Sequence, residues 1–316
     1  EVERTATWTE STTAIDVVLM FDGQETAQVP TVYASYEREL SVESKEVFAR
    51  SGDGRLLELV RRFGPITQEA TAEIELRLPT GTAELTVEGE GSCELEEIGV
   101  RFVWNADEEA WVKGYADDYE GREELLDGLR PTTEFIALLP EEPEIEVGDR
   151  WDVELDALLD VLRPGGTLPL DVETDLDALE GVLDPLLLPG VFDSLEGARE
   201  GEIEAVVKTI EDGTAVIELD VEVEVLTDFA GTGAIDIEPA LPQGATADLT
   251  SAEFRTKIDG TGELAWDLAA GRMASFRFDA DVEVEIDVEV DVNADSQPLE
   301  VSLQESREGR IGLVVE

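Results

Sequence analysis

The chain has 316 residues, of which 42% are hydrophobic, so it can bury a sizeable core and is not a disordered acidic tail. It carries 77 Asp and Glu residues against 22 Lys and Arg, with no His, for a net charge of -55. Such a field repels nucleic-acid phosphates and anionic membranes, which argues against a nucleic-acid-binding protein. The same field favours cations, basic partners and solubility in a saline medium.

Cysteine content and hydropathy exclude two further classes of protein. Cys93 is the only cysteine, so the chain has neither a disulfide framework nor a cysteine-based metal site. It has no run of 18 apolar residues, which excludes a transmembrane helix. The sequence begins at Glu1 without Met. Together with the β-rich pattern described below, this start leads us to expect an extracytoplasmic protein (periplasm, cell surface or secreted) whose export signal has been removed.

Alternating segments joined by turn residues predict a series of β-hairpins in the N-terminal part of the chain. The predicted strands are 12–21 before Asp22-Gly23, 47–50 and 56–62 around Gly52-Asp53-Gly54, 72–78 and 83–89 around Pro79-Thr80-Gly81, and 100–104 and 110–115 around Asn105-Ala106-Asp107. For 56–62 a helix is an alternative, because Leu56, Leu59, Val60 and Phe63 also fit one helical face.

Helical spacing is concentrated in the middle of the chain, near residues 152–198. A short helix is predicted at 123–129, before Pro131. A longer one follows from four leucines at i, i+3, i+4 and i+7, ended by Pro164-Gly165-Gly166: Leu155, Leu158, Leu159 and Leu162. Leu176, Leu179 and Leu183 suggest another helix, and the apolar patch 186–192 is interrupted by Pro189-Gly190.

Two long amphipathic strands are predicted in the C-terminal part, because every second residue is apolar and the residues between them are acidic. The apolar series are Ile217, Leu219, Val221, Val223 and Val225, and Val282, Val284, Ile286, Val288, Val290 and Val292. A further hairpin is predicted from 262–268 and 273–278 around Ala270-Gly271.

These elements predict a mainly β fold (all-β to α+β) with one or two bent antiparallel sheets, long amphipathic strands and a helical segment near 152–198. The acidic, Pro-rich stretch 140–143 divides the chain into a β-rich N-terminal half, 1–143, and a C-terminal half, 144–316, with a helical insertion followed by long hairpins. One continuous domain crossing this point is the alternative.

Three segments carry a resemblance to a known group of proteins. They are Asp53-Gly54-Arg55, the run from Leu125-Leu126-Asp127-Gly128-Leu129 through Leu138-Leu139-Pro140 to Val147-Gly148-Asp149-Arg150-Trp151, and the strand–turn–strand segment 262–276. The sequence resembles a group of exported β-rich bacterial proteins of unknown activity, common in marine, high-GC lineages. More loosely, it resembles the bent sheets of periplasmic lipoprotein carriers, which cradle lipid against helices. The resemblance implies export and a β fold, and it brings no functional residues.

The sequence offers no catalytic or cofactor-binding residues. The absence of His excludes Ser-His-Asp and Cys-His catalysis and His-based zinc sites. Nucleotide-binding Gly-rich motifs and the G-x-S-x-G motif are also missing. Cys93 has no base nearby in the sequence and is interpreted as a small buried thiol. With 77 acids some carboxylate pair always has a suitable spacing, so such pairs do not indicate a glycosidase. We therefore expect that the protein is not an enzyme.

Calcium is the cofactor that the composition leaves open, because hard cations prefer oxygen ligands. Asn105-Ala106-Asp107-Glu108-Glu109 comes closest to a calcium loop but lacks its Gly and distal ligand, and Asp175-Leu176-Asp177 also fails the pattern. Diffuse condensation of cations on the acidic surface is favoured over a specific site, and the metal ligands, if any, are unknown.

Two functions are compatible with this pattern. The first is a non-enzymatic extracytoplasmic binding or carrier protein, in which the leucine-rich middle and the long strands enclose an apolar ligand. The alternative is a structural subunit of a surface layer, filament or envelope assembly, in which cations bridge acidic faces.

Overall fold

The computed structural model describes residues 2–21, 24–25, 31–50, 56–78, 81–117, 119–131, 135–140, 145–162, 166, 168–174, 195, 197–230, 246–294 and 297–316. These residues contain fourteen β-strands, one α-helix and two 3₁₀ turns.

Seven strands precede the middle of the chain. They are β1 (Val2–Phe21), β2 (Gln24–Glu25), β3 (Thr31–Arg50), β4 (Leu56–Leu78), β5 (Gly81–Cys93), β6 (Gly99–Asn105) and β7 (Ala110–Tyr115). The 3₁₀ turns Glu123–Leu126 and Phe135–Leu138, then β8 (Arg150–Asp152), the helix α1 (Leu155–Leu162) and β9 (Leu170–Thr174) make up the middle. Five long strands follow: β10 (Ala198–Glu211), β11 (Thr214–Asp228), β12 (Thr246–Asp267), β13 (Arg272–Ala294) and β14 (Gln297–Val315).

All of these strands belong to one antiparallel sheet, which confirms the predicted mainly β fold. Its order is β7-β6-β4-β3-β1-β14-β13-β12-β11-β10-β8, with β2 beside β1 and β5 between β4 and β9. The first long strand, β1, pairs with the last strand, β14, along most of its length. Within the described ranges the order ends at β7 on one side and β8 on the other, with no pairing that joins these two ends.

Strict alternation gives the sheet two faces. The inner face is the side whose side chains are buried in the hydrophobic core, and the outer face is the side whose side chains reach solvent. On β13 this confirms the prediction, because its apolar series lies on the inner face, buried or half-buried: Val282, Val284, Ile286, Val288 and Val290. The intervening acids are exposed on the outer face: Glu283, Glu285, Asp287, Glu289 and Asp291.

The predicted hairpins are found where the structure describes them. The 100–104 and 110–115 segments lie in β6 and β7. Residues 262–267 and 273–278 lie in β12 and β13, and residue 268 is in the turn between them. The strand interpretation of 56–62 is confirmed and the helical alternative is wrong, because these residues belong to β4. The turns at 22–23, 51–55 and 79–80 lie outside the described residues.

The middle of the chain is less helical than predicted. Helix α1 is confirmed, with Leu158, Leu159 and Leu162 buried. The helix predicted at 123–129 is reduced to a 3₁₀ turn, and Leu170–Thr174 is a strand that pairs with β5. The sequence of β9 alternates apolar and polar residues, and a period of two suits a strand with one apolar face better than a helix. The helix predicted from Leu176 onward lies outside the described residues.

A thin layer from the middle of the chain covers one end of the inner face. The ring of Phe135 lies 5.1 Å from that of Phe276 on β13, and Trp151 Nε1 donates a hydrogen bond to the Leu138 carbonyl at 3.0 Å. Strands from both predicted halves pair within the same sheet. The predicted boundary at 143/144 falls outside the described residues, and the two-half division stays a prediction.

Candidate functional site

The inner face changes character across the sheet. On β10 to β13 its residues are almost all apolar, whereas on β14, β1, β3 and β4 it contains buried charged and polar side chains. The buried polar and charged side chains on these four strands are Arg4, Glu10, Ser44, Glu46, Arg61, Gln68, Glu305 and Arg307. Charges are expensive to bury unless they are paired and hydrogen-bonded. The hydrogen-bond and ion-pair partners of these buried side chains therefore indicate the structural role of each one.

The first cluster joins three strands around Glu46 on β3. Its carboxylate accepts hydrogen bonds from Arg4 Nε and from Arg61 Nε, each at 2.8 Å. The side chains of Glu46 and Arg61 are completely buried, and that of Arg4 nearly so. Burial lowers the pKa of Arg4, and the nearby Glu46 carboxylate partly opposes that effect. We call this set, Arg4, Glu46 and Arg61, the core ion cluster.

The core ion cluster also holds the covering layer in place. Arg61 Nη1 donates a hydrogen bond to the Arg130 carbonyl at 3.1 Å. The Arg4 guanidinium lies over the Phe135 ring of the covering layer, 5.2 Å from its centre. The Arg61 guanidinium lies 5.3 Å from the centre of the Phe102 ring on β6, within the sheet. Cation–π contacts of this kind strengthen when water is excluded. The core ion cluster therefore links the sheet to the covering layer.

The second cluster lies further along the same strands. Arg307 on β14 binds Glu305 in a bidentate pair, Nε to Oε1 at 2.7 Å and Nη2 to Oε2 at 3.0 Å. Its Nη1 reaches Glu10 Oε1 on β1 at 3.3 Å, and Thr12 Oγ1 donates to Glu305 Oε1 at 2.7 Å. Glu10, Glu305 and Arg307 are buried. A bidentate pair fixes both partners in one geometry.

The second cluster extends to β3 and β4 but is incomplete there. Arg38 lies opposite Glu10 in the register of β1 and β3, with 4.0 Å between Arg38 Nη1 and Glu10 Oε1. Arg38 Nη2 donates to Gln68 Oε1 at 3.2 Å. Glu10 Oε2 and Arg38 Nε are buried and have no hydrogen-bond partner among the described residues. We call these two groups, one acceptor and one donor, the open polar pair.

Apolar side chains border the open polar pair on both sides. Trp8 precedes Glu10 on the inner face of β1, and Leu40 follows Arg38 on that of β3; both are buried. Across β14, Val282 and Val284 on β13 lie opposite Gly309 and Arg307. Buried polar groups normally have partners, so an unfilled acceptor and donor beside an apolar wall suit a ligand with an apolar body and a polar head.

The outer face carries a second notable arrangement, a row of acids at matched register. Glu202 lies opposite Glu222, Glu222 opposite Asp259, and Asp259 opposite Asp281, across β10, β11, β12 and β13. All four residues are exposed. We call these residues the acidic row. Like charges directly opposite each other across strands repel, so cations close to the acidic row would reduce this repulsion.

The residues singled out from the sequence do not come together in a site. Cys93 is buried, and burial raises the pKa of its thiol. The 105–109 segment consists of the last residue of β6 and the turn to β7, and the Asp107 amide donates to Asn105 Oδ1 at 3.0 Å. Asp175 and Asp177 lie outside the described residues. No group of three or more metal-ligating side chains occurs in the part of the chain that the structure describes.

Sequence reasoning missed the buried charges. A signal was present in their position, since Arg4, Ala6, Trp8 and Glu10 share one parity on β1 and so one face of the strand. Charged residues at the parity of a tryptophan indicate a buried polar contact.

None of the helices among the described residues has the length and apolar character needed to span a membrane.

Comparisons with known proteins add little to this geometry. No family model matches the sequence, and no curated protein matches it. Among solved structures, the chain is similar to the crystal structure of the outer membrane protein OprG from Pseudomonas aeruginosa. The identity is 8% and the TM-score 0.26, and the match covers 99% of this chain and 94% of that chain. A similarity at this level carries no argument about function.

Proposed function

We propose that this chain is a non-enzymatic, extracytoplasmic binding or carrier protein whose inner sheet face holds an amphipathic ligand. The observation that carries the proposal is the open polar pair, Glu10 Oε2 and Arg38 Nε, which are buried without hydrogen-bond partners in the part of the chain that the structure describes. Leaving a buried donor or acceptor unpaired costs about 1–3 kcal/mol, more if it is charged. A ligand head group that pairs with both would recover that energy.

The division of the inner face supports an amphipathic rather than a purely apolar ligand. The apolar wall of β13 would contact a hydrocarbon body, while the open polar pair lies two and three strands away, on β1 and β3. The head group should donate to Glu10 and accept from Arg38, as an ammonium and a phosphate on one molecule would. A plain fatty acid offers only the acceptor.

The first experiment tests whether the purified protein carries such a molecule. Organic extraction followed by mass spectrometry should release an amphiphile with a zwitterionic or mixed donor–acceptor head. Added lysophosphatidylethanolamine should bind to delipidated protein more tightly than a fatty acid of the same chain length. Equal binding of the two, or no binding of either, would contradict the proposal.

A matched pair of variants locates the ligand. Glu10→Gln keeps the size of the side chain but removes the buried negative charge, and it should weaken binding of lysophosphatidylethanolamine roughly tenfold or more. Glu39→Gln makes the same chemical change on an exposed outer-face residue of β3 and should leave binding unchanged. Equal losses in both variants would mean that overall charge, and not the open polar pair, governs binding.

The acidic row favours a second candidate function, a structural subunit whose acidic faces are bridged by cations. Carboxylates at strand spacing on two copies can share divalent cations between them. Sedimentation with millimolar calcium distinguishes the two functions. Calcium-dependent polymers without any extracted amphiphile would favour the structural subunit, whereas an amphiphile on a chain that calcium does not polymerise would favour the binding protein.

A further inference from the structure

One edge of the sheet is formed by β7, whose outward backbone groups pair with no strand among the described residues. In the described part of the chain, β7 pairs only with β6 and stands at the end of the strand order. The Ala116 amide donates to the Gly99 carbonyl, and hydrogen-bonded pairs alternate along an antiparallel ladder. The backbone groups of Trp111, Lys113 and Tyr115 consequently point away from β6. Unpaired strand backbone is a template for another strand.

Charge sets this edge apart from the rest of the molecule. Of the fourteen described strands, β6 and β7 alone carry no Asp or Glu, and their charged residues are Arg101 and Lys113. This is notable in a chain with 77 acids. Two copies with a net charge of -55 each repel over most of their surfaces, and repulsion is weakest where acids are absent.

The outer surface of the same edge is apolar and open. Val103 and Val112 lie opposite each other and are 37% and 49% exposed. A Cβ atom added at Gly114 would meet nothing within 4 Å. The outer face of β7 is therefore uncovered by the described residues at this position.

The opposite edge of the sheet ends in β8, which has only three residues, and very short edge strands are poor templates for pairing. Residues around β8 are bonded along β10, with the Gly148 amide donating to the Val207 carbonyl and the Val153 amide to the Ile203 carbonyl. The strand β10 also carries four acids: Glu200, Glu202, Glu204 and Glu211. A head-to-tail chain of copies would have to pair β7 with this three-residue strand beside the acidic β10. Symmetric pairing of β7 with itself opposes no acids within the strands, and the nearest exposed acids, Glu108, Glu109 and Asp117, lie beyond the ends of β7.

We propose that two copies of this chain associate through their β7 strands, which pair antiparallel across a two-fold axis at Val112. This register places Val112 against its counterpart on the outer face and Trp111 against Lys113 of the partner subunit. The outward backbone groups of Trp111 and Lys113 then exchange about four hydrogen bonds. A register centred on Lys113 would instead oppose two lysines, which is unfavourable. The dimer is independent of the ligand proposed for the inner face.

Local contacts make β7 ready for such pairing. Lys113 Nζ donates to the carbonyls of Leu126, Asp127 and Leu129, at 2.7, 2.7 and 3.2 Å. Trp111 is in edge-to-face contact with Trp104, with ring centres 5.6 Å apart. Both side chains that flank Val112 are thus fixed before association, which lowers the entropy lost on binding.

Light scattering during size-exclusion chromatography tests the association. At 1 M sodium chloride, where repulsion between copies is screened, the mass should be twice the chain mass of 34.5 kDa. Val112→Glu places two carboxylates on the two-fold axis and should raise the dimer dissociation constant roughly tenfold or more. Val314→Glu makes the same change at an exposed outer-face position of β14 and should leave the dimer intact. A monomer under all conditions, an open series of polymers, or equal effects of both variants would overturn the proposal.

Cross-linking tests the register. Cys93, the only native cysteine, is buried, so a new surface cysteine reports on its own position. Directly opposed residues of a non-hydrogen-bonded antiparallel pair have Cα atoms about 4.5 Å apart, within reach of a disulfide. Val112→Cys should form a covalent dimer under mild oxidation, while Val103→Cys, one strand further in, should not. Cross-linking of Val103→Cys alone, or of neither variant, would overturn pairing at Val112.

Discussion

Glu46 illustrates how a buried charge on the inner face is made tolerable. It lies between Arg4 and Arg61 and accepts an Nε–H from each. Two cations thus depend on one carboxylate, in a region closed to water. Removing one partner of such a network is costly, because the remaining charges stay buried without compensation.

The first prediction follows from this dependence. Glu46→Gln should lower the free energy of unfolding by about 3–5 kcal/mol, since the two guanidinium groups lose their shared anion. Urea denaturation measures the change. Glu43→Gln, at an exposed outer-face position of the same strand, should shift stability by no more than about 0.5 kcal/mol. A small loss for Glu46→Gln would mean that water reaches the core ion cluster.

Cys93 gives a pH-dependent prediction. Burial raises the pKa of its thiol above the ordinary value of 9.0, so above that value the folded state retains a proton that the unfolded state releases. The resulting stabilisation is complete below pH 9.0 and is lost as pH rises through the raised pKa. The difference in unfolding free energy between the native chain and Cys93→Ala should therefore shrink as the pH rises above 9.0. A constant difference would show that the thiol is solvated.

At the scale of the element, alternation along β13 determines which substitutions are tolerated. Ile286 is buried on the inner face, and the neighbouring odd-numbered residues are exposed acids. Because the period of a strand is two, neighbouring positions differ in environment more than positions two apart.

Paired substitutions on β13 test this difference. Ile286→Ala should cost about 2–5 kcal/mol, through lost burial and the cavity left behind. Glu289→Ala, three positions further along and exposed, should change stability by less than about 1 kcal/mol. Urea unfolding of the two variants gives the comparison. Similar costs would indicate that β13 has slipped in register.

The acidic row links individual strands to the stability of the whole sheet. Asp259 lies directly opposite two other acids, Glu222 and Asp281. Each such like-charge pair is unfavourable by roughly 0.2–1 kcal/mol, and the net charge of -55 adds general repulsion. At 1 M salt the screening length falls to about 3 Å, shorter than the spacing of adjacent strands.

The whole-molecule prediction is that stability rises with ionic strength, and more steeply with calcium or magnesium than with sodium at equal ionic strength. The thermal midpoint in low salt, in 1 M sodium chloride and in millimolar calcium measures this. Asp259→Asn should raise the low-salt midpoint and weaken its salt dependence. Glu218→Gln is the matched control, because Glu218 already pairs with Lys208 at 2.7 Å and its loss should bring no gain. A thermal midpoint that does not change with salt would mean that the acids are too far apart to repel one another appreciably.

Local pattern determined much of this fold. The period-two series of β11 and β13 specify their own buried faces, and the leucines of α1 specify its buried stripe, because each depends only on neighbouring residues along the chain. The sequence likewise excluded His-dependent catalysis and disulfides by composition. The sequence did not predict β9 as a strand. A short segment becomes a strand only when a neighbouring strand is available to pair with it, and here that strand is β5.

Only the tertiary structure decided which residues meet. Glu10 and Arg307 are 297 positions apart and are brought together because β1 pairs with β14. The open polar pair arises from the register of β1 with β3, and the acidic row from the registers of four successive strands. Periodicity assigns a residue to a face but carries no information about the strand beside it, because pairing depends on the turns and on packing across the whole sheet.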